Sequence, residues 1–285
     1  AVKTVVCRAR GIFRLENITP LVGDNAELVL EEGGSAVIDK ILPRKNSLIR
    51  PPVANLDYLL AVISARSPDP RLQVTDKLVS IAEYNGIEPV IIVSKPDLDE
   101  NAAAEISKIY RAVGFTVFEI SNINAESIEP LSDYITANFT GKCAAFAGVS
   151  GVGKSTLMNS LFPSLSLPTS SVSDKIGRGR HTTRHVQLYR INEKSDGTCG
   201  YLADTPGFSM LDFEHFDFFT YEDLPYTFRE FSKHIGECRY TKCSHTREEG
   251  CAILNAVRAG EIEKSRHDSY VSLYDILKNK KIWKK

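Results

Sequence analysis

The pattern of apolar and polar positions changes twice along the 285 residues. Up to about residue 55, short apolar stretches (Val2 to Cys7, Ala36 to Ile38, Ile41-Leu42) are separated by turn signals at Gly11 to Arg14, Gly23 to Asn25 and Glu32 to Ser35. Pro43, Pro51 and Pro52 end the region. Short strands at this density predict a small β-barrel. From Leu56 the runs lengthen and alternate in kind. Tyr58 to Ile63 and Pro89 to Val93 are continuously apolar, as parallel strands covered on both faces are, and Phe115 to Ile120 is a third strand. Between them, Arg71 to Tyr84 carries Leu72, Leu78, Val79 and Ala82 at helical spacing before Gly86, and Glu100 to Val113 is a helix stopped by Gly114. Glu126 to Asn138 is a further helix, Cys143 to Ala147 a short buried strand and Ser155 to Phe162 a helix. Val186 to Ile191 and Gly200 to Ala203 form a hairpin across Asp196-Gly197. This alternation predicts a doubly wound α/β domain to about residue 212. From Phe213 the chain turns aromatic and acidic, then cysteine-rich, then helical over Ala252 to Gly260 and Glu261 to Ile282. The expected organisation is a barrel over 1–55, an α/β domain over 56–212 and a helical metal-binding domain over 213–285.

Gly148-Val149-Ser150-Gly151-Val152-Gly153-Lys154-Ser155 fits G-x-x-x-x-G-K-[ST], set between a strand and a helix. Glycines let the backbone turn so that its N–H groups point at phosphate oxygens. The Lys154 ammonium reaches the β- and γ-phosphates, and Ser155 offers Mg²⁺ a hard oxygen. Gly148 and Ser150 through Thr156 are therefore assigned to a nucleotide, at the positive end of a helix. Asp204-Thr205-Pro206-Gly207 follows an apolar strand as a D-x-x-G motif does, with the Asp204 carboxylate near Mg²⁺ through water and the Gly207 N–H on the γ-phosphate. His181-Thr182-Thr183-Arg184 lies between the two motifs, and a threonine hydroxyl there is the expected second Mg²⁺ ligand. Thr183 is favoured, with Thr182 as the alternative.

Ser94-Lys95-Pro96-Asp97, at the end of the Pro89–Val93 strand, resembles the [N/T]-K-x-D base-reading motif. The Asp97 carboxylate accepts from guanine N1–H and the exocyclic amine, a donor pair that adenine lacks. The Lys95 stem is expected to cover the base face. Ser94 stands where Asn or Thr is usual, which weakens one polar contact. Ser121-Asn122 would be the second base-contacting loop and matches poorly. The order is the decisive observation. Such chains ordinarily run phosphate loop, switch threonine, D-x-x-G, base motif; here the base motif at residue 94 precedes the loop at 148. Rotation of this kind is physically permitted where domain termini lie close together. It runs the segment after Gly207 straight into the C-terminal domain, so loss of the γ-phosphate is expected to move that domain.

Cys238-x4-Cys243-x-His245-x5-Cys251 places three thiolates and one imidazole within 14 residues. Tetrahedral structural Zn²⁺ takes this ligand set, with no place left for catalytic water. Ala1-Val2-Lys3-Thr4 is not an apolar signal stretch, and disulfides among the six cysteines are not expected in a reducing cytosol. Ala1 stands in place of a methionine, so an initiator Met or a few residues are expected to be missing. No apolar run approaches the ~18 residues of a membrane span, so a cytoplasmic chain without membrane contact is expected. A composition of 42% hydrophobic and 25% charged residues is that of a soluble globular protein, and a net charge of −1 argues against general adhesion to polyanions. Basic residues are instead clustered. Arg8, Arg10, Arg14, Lys40, Arg44, Lys45 and Arg50 suit an oligonucleotide-binding barrel (OB-fold), Lys175 to His185 holds four basic residues, and Ile276 to Lys285 holds five lysines. Trp283, in that tail, is open to base stacking or to packing under the last helix.

These motifs together resemble the bacterial ribosome-small-subunit-dependent GTPases, the RsgA/YjeQ/YloQ family. The likeness spans nearly the whole chain: Pro20-Leu21-Val22-Gly23-Asp24, Pro43-Arg44 with Arg50-Pro51, Gly148 to Ser155, Gly177-Arg178-Gly179-Arg180-His181-Thr182-Thr183, Asp204 to Gly207 and the cysteine cluster. The resemblance implies an N-terminal OB-fold, a circularly permuted GTPase domain and a C-terminal zinc domain with the same four ligands. It further implies GTP hydrolysis with Mg²⁺, stimulated by the small (30S) ribosomal subunit and its 16S rRNA during late maturation of that subunit. A monomer is expected.

Phe208 stands where many GTPases carry a glutamine that orients the attacking water, which predicts slow intrinsic hydrolysis. His181 is open to two readings: it positions that water once the basic loop is ordered on RNA, or it caps the loop or contacts RNA. Gly151 stands where potassium-activated GTPases often carry Asn, so potassium dependence is not expected. Two other functions compete. Asp97 argues against an ATPase with a barrel adaptor; Lys154, Ser155, Thr183 and Asp204 argue against a non-catalytic RNA-binding checkpoint.

Overall fold

The computed structural model describes residues 4–49, 51–165, 186–204 and 219–280. In the N-terminal region β1 (Cys7–Ala9) pairs in parallel with β3 (Ala36–Ile41), which pairs antiparallel with β2 (Ala26–Leu30). Of the strand expected over Val2 to Cys7, residues 2 and 3 lie outside the described residues, and of the rest only Cys7 belongs to β1. The turn expected at Gly11 to Arg14 is a short helix, α1 (Ile12–Leu15), which lets Phe13 bury its ring. β4 (Ser47–Leu48) and β5 (Val53–Ala54) form a two-stranded ribbon, joined to the preceding loop by the Val22–Val53 bridge. Gly23 makes that junction possible: at φ +91° its Cα lies so close to β5 that a Cβ would sit 2.2 Å from the Ala54 carbonyl oxygen. Asp24 accepts the Leu21 N–H at 2.7 Å and the Arg44 Nε–H at 2.6 Å. The Pro20–Asp24 and Pro43-Arg44 stretches thus fasten this region together.

The main sheet has the order β10-β11-β9-β6-β7-β8. β6 (Tyr58–Ser64), β7 (Glu88–Ser94), β8 (Thr116–Ile120), β9 (Cys143–Ala147) and β11 (Gly200–Asp204) run parallel, and β10 (Gln187–Ile191) is the antiparallel edge. Alternate residues of each strand face opposite layers. Leu60, Val62, Val90, Ile92, Ala144 and Phe146 pack under α4 (Glu129–Asn138) and α5 (Lys154–Leu161). Leu59, Ala61, Ile63, Ile91 and Val93 pack under α2 (Leu72–Tyr84) and α3 (Glu100–Val113). This double covering explains why the strands read as unbroken apolar runs. The sheet edge at the strand C-termini collects the ends of β6, β7, β8, β9 and β11, where α/β sheets place their ligands.

The C-terminal region packs on the α2 face. Its core residues Phe228, Phe231, Tyr270 and Leu273 join one apolar cluster with Leu78, Ile81 and Ala82 of α2 and with Leu48 and Val53 of the N-terminal region. α6 (Ala252–Ala259) and α7 (Lys264–Asn279) are the two helices expected there, the second beginning and ending inside the predicted Glu261–Ile282 range. Arg266 of α7 is 1% exposed and lies between Asp76 of α2 and Glu230. Its Nε donates to Glu230 at 2.7 Å, the Tyr110 hydroxyl donates to Asp76 at 2.8 Å, and the guanidinium lies 4.6 Å from the centre of the Phe228 ring. Burial alone would lower the arginine pKa; Asp76 and Glu230 reverse this and raise it. Arg229 adds ion pairs to Glu83 and Glu88. Any displacement of the C-terminal region must therefore carry α2 with it or break buried charge pairs.

Candidate nucleotide site and metal centre

The phosphate loop leaves β9 at Ala147 and ends on α5. Its glycines are required by shape. Gly148, at φ +141°, passes so close to β6 that a Cβ would lie 2.3 Å from the Val62 carbonyl oxygen, and Gly153 caps α5 at φ +94°. Among the described residues, the backbone N–H groups from Gly151 to Ser155 have no protein acceptor. They form a cradle of donors, as an anion site needs. The Lys154 ammonium donates to the carbonyls of Gly148 and Val149, both at 2.8 Å, and burial lowers its pKa. Among the described residues it is held over the loop in this way without a carboxylate partner. The residues present fit a nucleotide phosphate.

The loop opens into a cavity of about 440 Å³ lined by Lys95, Asp97, Leu98, Asn122, Ile123, Ser150, Gly151 and Gly153 to Thr156. The base motif at the end of β7 and the phosphate loop at the end of β9 thus face one cavity, although 50 residues and more separate them in the chain. Asp97 is aimed by Ser121, whose hydroxyl donates to the Asp97 Oδ1. The Lys95 backbone is left-handed (φ 57°), and its ammonium donates to the Gly151 carbonyl at 2.8 Å and to the Ser67 carbonyl. It ties the base motif to the phosphate loop as well as lining the cavity. Ser94 has a different place from the one its motif position suggested. It is 2% exposed, and its hydroxyl donates to the Val152 carbonyl at 2.7 Å, beneath the phosphate loop and outside the cavity. Of Ser121-Asn122, poorly matched as a sequence motif, Asn122 lines the cavity, whereas Ser121 is buried and reaches the site only through Asp97. Exposed Leu98 and Ile123 supply apolar walls on which a base can lie. His181, Thr182, Thr183 and Gly207 lie outside the described residues, and Asp204 enters only as the last residue of β11.

The four predicted metal ligands converge: one ligand atom from each of Cys238, Cys243, His245 and Cys251 lies within 4.8 Å of all the others. Cys238 Sγ is 3.5 Å and Cys251 Sγ 3.6 Å from His245 Nδ1, and the two sulfurs are 3.8 Å apart. A tetrahedron with Zn–S of about 2.3 Å and Zn–N of about 2.05 Å has S–S edges near ~3.8 Å and S–N edges near ~3.6 Å. Burial lowers the His245 pKa, which favours the neutral, ligating imidazole. The outer partners are in place. His267 Nε2 donates to the His245 carbonyl at 2.8 Å, the Tyr270 hydroxyl donates to the Ser244 carbonyl at 2.9 Å, and Cys251 Sγ caps α6 by accepting the Leu254 N–H. The residues fit zinc.

Of the basic residues assigned to the barrel, four are already paired: Arg8 with Glu31, Arg10 with Asp39, Arg44 with Asp24 and Lys45 with Asp57. Sequence reading missed these pairings because the acids lie 12 to 29 residues away in the chain. An exposed pair such as Arg8–Glu31 is worth little and opens readily, whereas Arg44–Asp24, with its carboxylate 5% exposed, is structural.

Phosphate loop, permuted strand order and a shared base-and-phosphate cavity define a circularly permuted P-loop GTPase. Residues 41–214 match the family model described as RsgA GTPase, and residues 1–38 match that of the RsgA N-terminal domain. The chain belongs to the RsgA GTPase family. It is 41% identical over 283 residues to the small ribosomal subunit biogenesis GTPase RsgA 2 of Listeria monocytogenes, covering 98% of this chain and 92% of that one. It is 39% identical to the RsgA of Geobacillus thermodenitrificans over the same shares. Among solved structures, YjeQ from Thermotoga maritima superposes with a TM-score of 0.79 at 33% identity, covering 97% of this chain and 91% of that one. YloQ, described as a circularly permuted GTPase, superposes with a TM-score of 0.75 at 34% identity, covering 99% and 88%.

Proposed function

We propose that this chain hydrolyses GTP in the maturation of the small ribosomal subunit and that the subunit, through its 16S rRNA, stimulates the reaction. The observation that carries the reading is the single cavity in which Asp97, aimed by Ser121, faces the donor cradle of the phosphate loop. The direction of the biology comes from relatives of nearly equal length that are named small ribosomal subunit biogenesis GTPases. Asp97 selects guanine, the loop N–H groups and Lys154 hold the phosphates, and Ser155, Thr183 and Asp204 are assigned to Mg²⁺, which supplies charge stabilisation of the transferred phosphoryl group when bound. Gly207 is assigned to the γ-phosphate and His181 to the attacking water. Cys238, Cys243, His245 and Cys251 hold one structural zinc. The working units are 1–55, 56–212 and 213–285, acting as a monomer in the cytoplasm. Among the described residues no helix is long and apolar enough to cross a membrane.

Turnover of GTP, with ATP as control, is expected to be slow alone and to rise many-fold with purified small subunits. GTP turnover indifferent to the subunits would send the search to another partner. His181→Ala is expected to keep GTP affinity and lose the stimulated turnover; full stimulation in the variant would remove His181 from the mechanism.

A further inference from the structure

We infer that a second cavity, at the end of the main sheet opposite the nucleotide, binds a small dipolar molecule that carries one anionic and one cationic group. The cavity has a volume of about 530 Å³, within the range of small-molecule sites. All three regions of the chain line it. Lys45 comes from the N-terminal region, Arg229 from the C-terminal region, and Asp57, Glu83, Glu88 and Lys142 from the α/β domain. The sheet spaces these charges. Lys142 precedes β9, Asp57 precedes β6 and Glu88 opens β7, and the three strands are neighbours in the order β9-β6-β7. At ~4.8 Å per strand, β9 and β7 lie ~10 Å apart across β6.

The charges lining the cavity balance in total but not locally. On the β9 side, Lys45 and Lys142 both turn to one carboxylate, at 2.5 and 3.4 Å from Asp57 Oδ1, while Asp57 Oδ2 accepts the Cys143 N–H at 2.8 Å. Each ammonium has three N–H groups and both lysine side chains are nearly half exposed, so donors are left over. On the β7 side, two carboxylates share one guanidinium. Arg229 lies 2.7 Å from Glu83 Oε1 and 2.6 Å from Glu88 Oε2, and is held against the Phe115 ring. Burial raises the Glu83 pKa against the pull of Arg229, and Glu88 raises it further, as a site short of positive charge would show. One end of the cavity thus has a surplus cation and the other a surplus anion. A molecule with a single charge suits one end only. A molecule with both, ~6–10 Å apart, suits the two ends together and lays its stem against Leu56, Ile87 and the rings of Tyr58 and Tyr134.

The test compares 6-aminohexanoate, which carries both groups, with hexanoate and hexylammonium, which carry one each. Binding to the full chain is read by the shift of the thermal unfolding midpoint and by amide NMR shifts at Tyr58 and Lys142, with GDP present throughout to occupy the nucleotide site. 6-Aminohexanoate is expected to bind roughly tenfold more tightly than either analogue, the scale of one added charge-assisted contact. Lys142→Ala should cut its advantage over hexylammonium, and Glu88→Gln its advantage over hexanoate. Both side chains are well exposed, so both variants should unfold like the wild type without ligand. Either analogue binding as tightly as 6-aminohexanoate would reduce the cavity to a simple ion contact and overturn the inference. Failure of 6-aminohexanoate to bind, or binding unchanged in both variants, would overturn it as well.

Discussion

Cys251→Ser is expected to abolish zinc binding and to unfold much of the region around residues 219–280, with a loss of stability on the order of 10 kcal/mol, the scale of zinc-coupled folding. Cys251 is 1% exposed, shares the ligand cluster and caps α6, so one substitution removes a ligand and a helix cap. Zinc content by chromogenic chelator and thermal unfolding with and without chelator check this. Cys7→Ser, outside the cluster, should keep the metal and serves as control. A Cys251→Ser protein that unfolds like the wild type would show that the apolar cluster alone holds the region. The same centre is expected to be acid-labile. In the metal-free fold, burial pushes the Cys243 thiol up to about 12 and raises Cys251, so metal entry must expel protons from thiols that hold them tightly. Zinc affinity therefore rises with pH and falls on acidification. Glu248 will not confuse that titration. Burial would raise its pKa, but the Ser244 hydroxyl and backbone N–H groups bring it to about 2, so it stays charged through the window from pH 8 to 5.

Arg266→Ala is expected to cost about 3–5 kcal/mol, because it leaves Asp76 and Glu230 buried without their cation. The geometry argues for the upper part of that range. Both Arg266 and Asp76 are 1% exposed, Asp76 Oδ2 already lacks a partner among the described residues, and the guanidinium packs on Phe228. Arg266→Met should recover only the packing, whereas Arg266→Met combined with Asp76→Asn should recover more by removing one stranded charge. Urea unfolding of the three variants at fixed zinc measures the series. A cost below about 1 kcal/mol for Arg266→Ala would place the pair among those that contribute little. Because the network joins α7 to α2, loss of cooperativity between the two regions should accompany the loss of stability.

Most of the α/β fold was legible because its signals are local. Glu100 to Val113 ends at Gly114, which the structure places in the left-handed region at φ 93°, and the apolar runs of β6, β7 and β9 report burial on both faces. The N-terminal region was harder. Its strands are two to six residues long, and Phe13 draws a helical turn where glycine and arginine suggest a loop.

The two site motifs also divide by range. Residues adjacent in sequence determined the phosphate loop and the metal cluster: Gly148 to Ser155 and Cys238 to Cys251 carry their chemistry within one turn or knuckle, so composition and spacing suffice. Contacts across the sheet edge were decided by tertiary structure alone. Ser94 meets the Val152 carbonyl from 58 residues away, Ser121 aims Asp97 across 24 residues, and Arg266 finds Asp76 across 190. No local pattern can encode such partners, since parallel strand order, and not chain order, brings the ends of β7, β8 and β9 together. The permutation shows the same division. Its motif order was plain in the sequence, but only the strand order β9-β6-β7-β8 shows why the rotated chain still closes one cavity around base and phosphate.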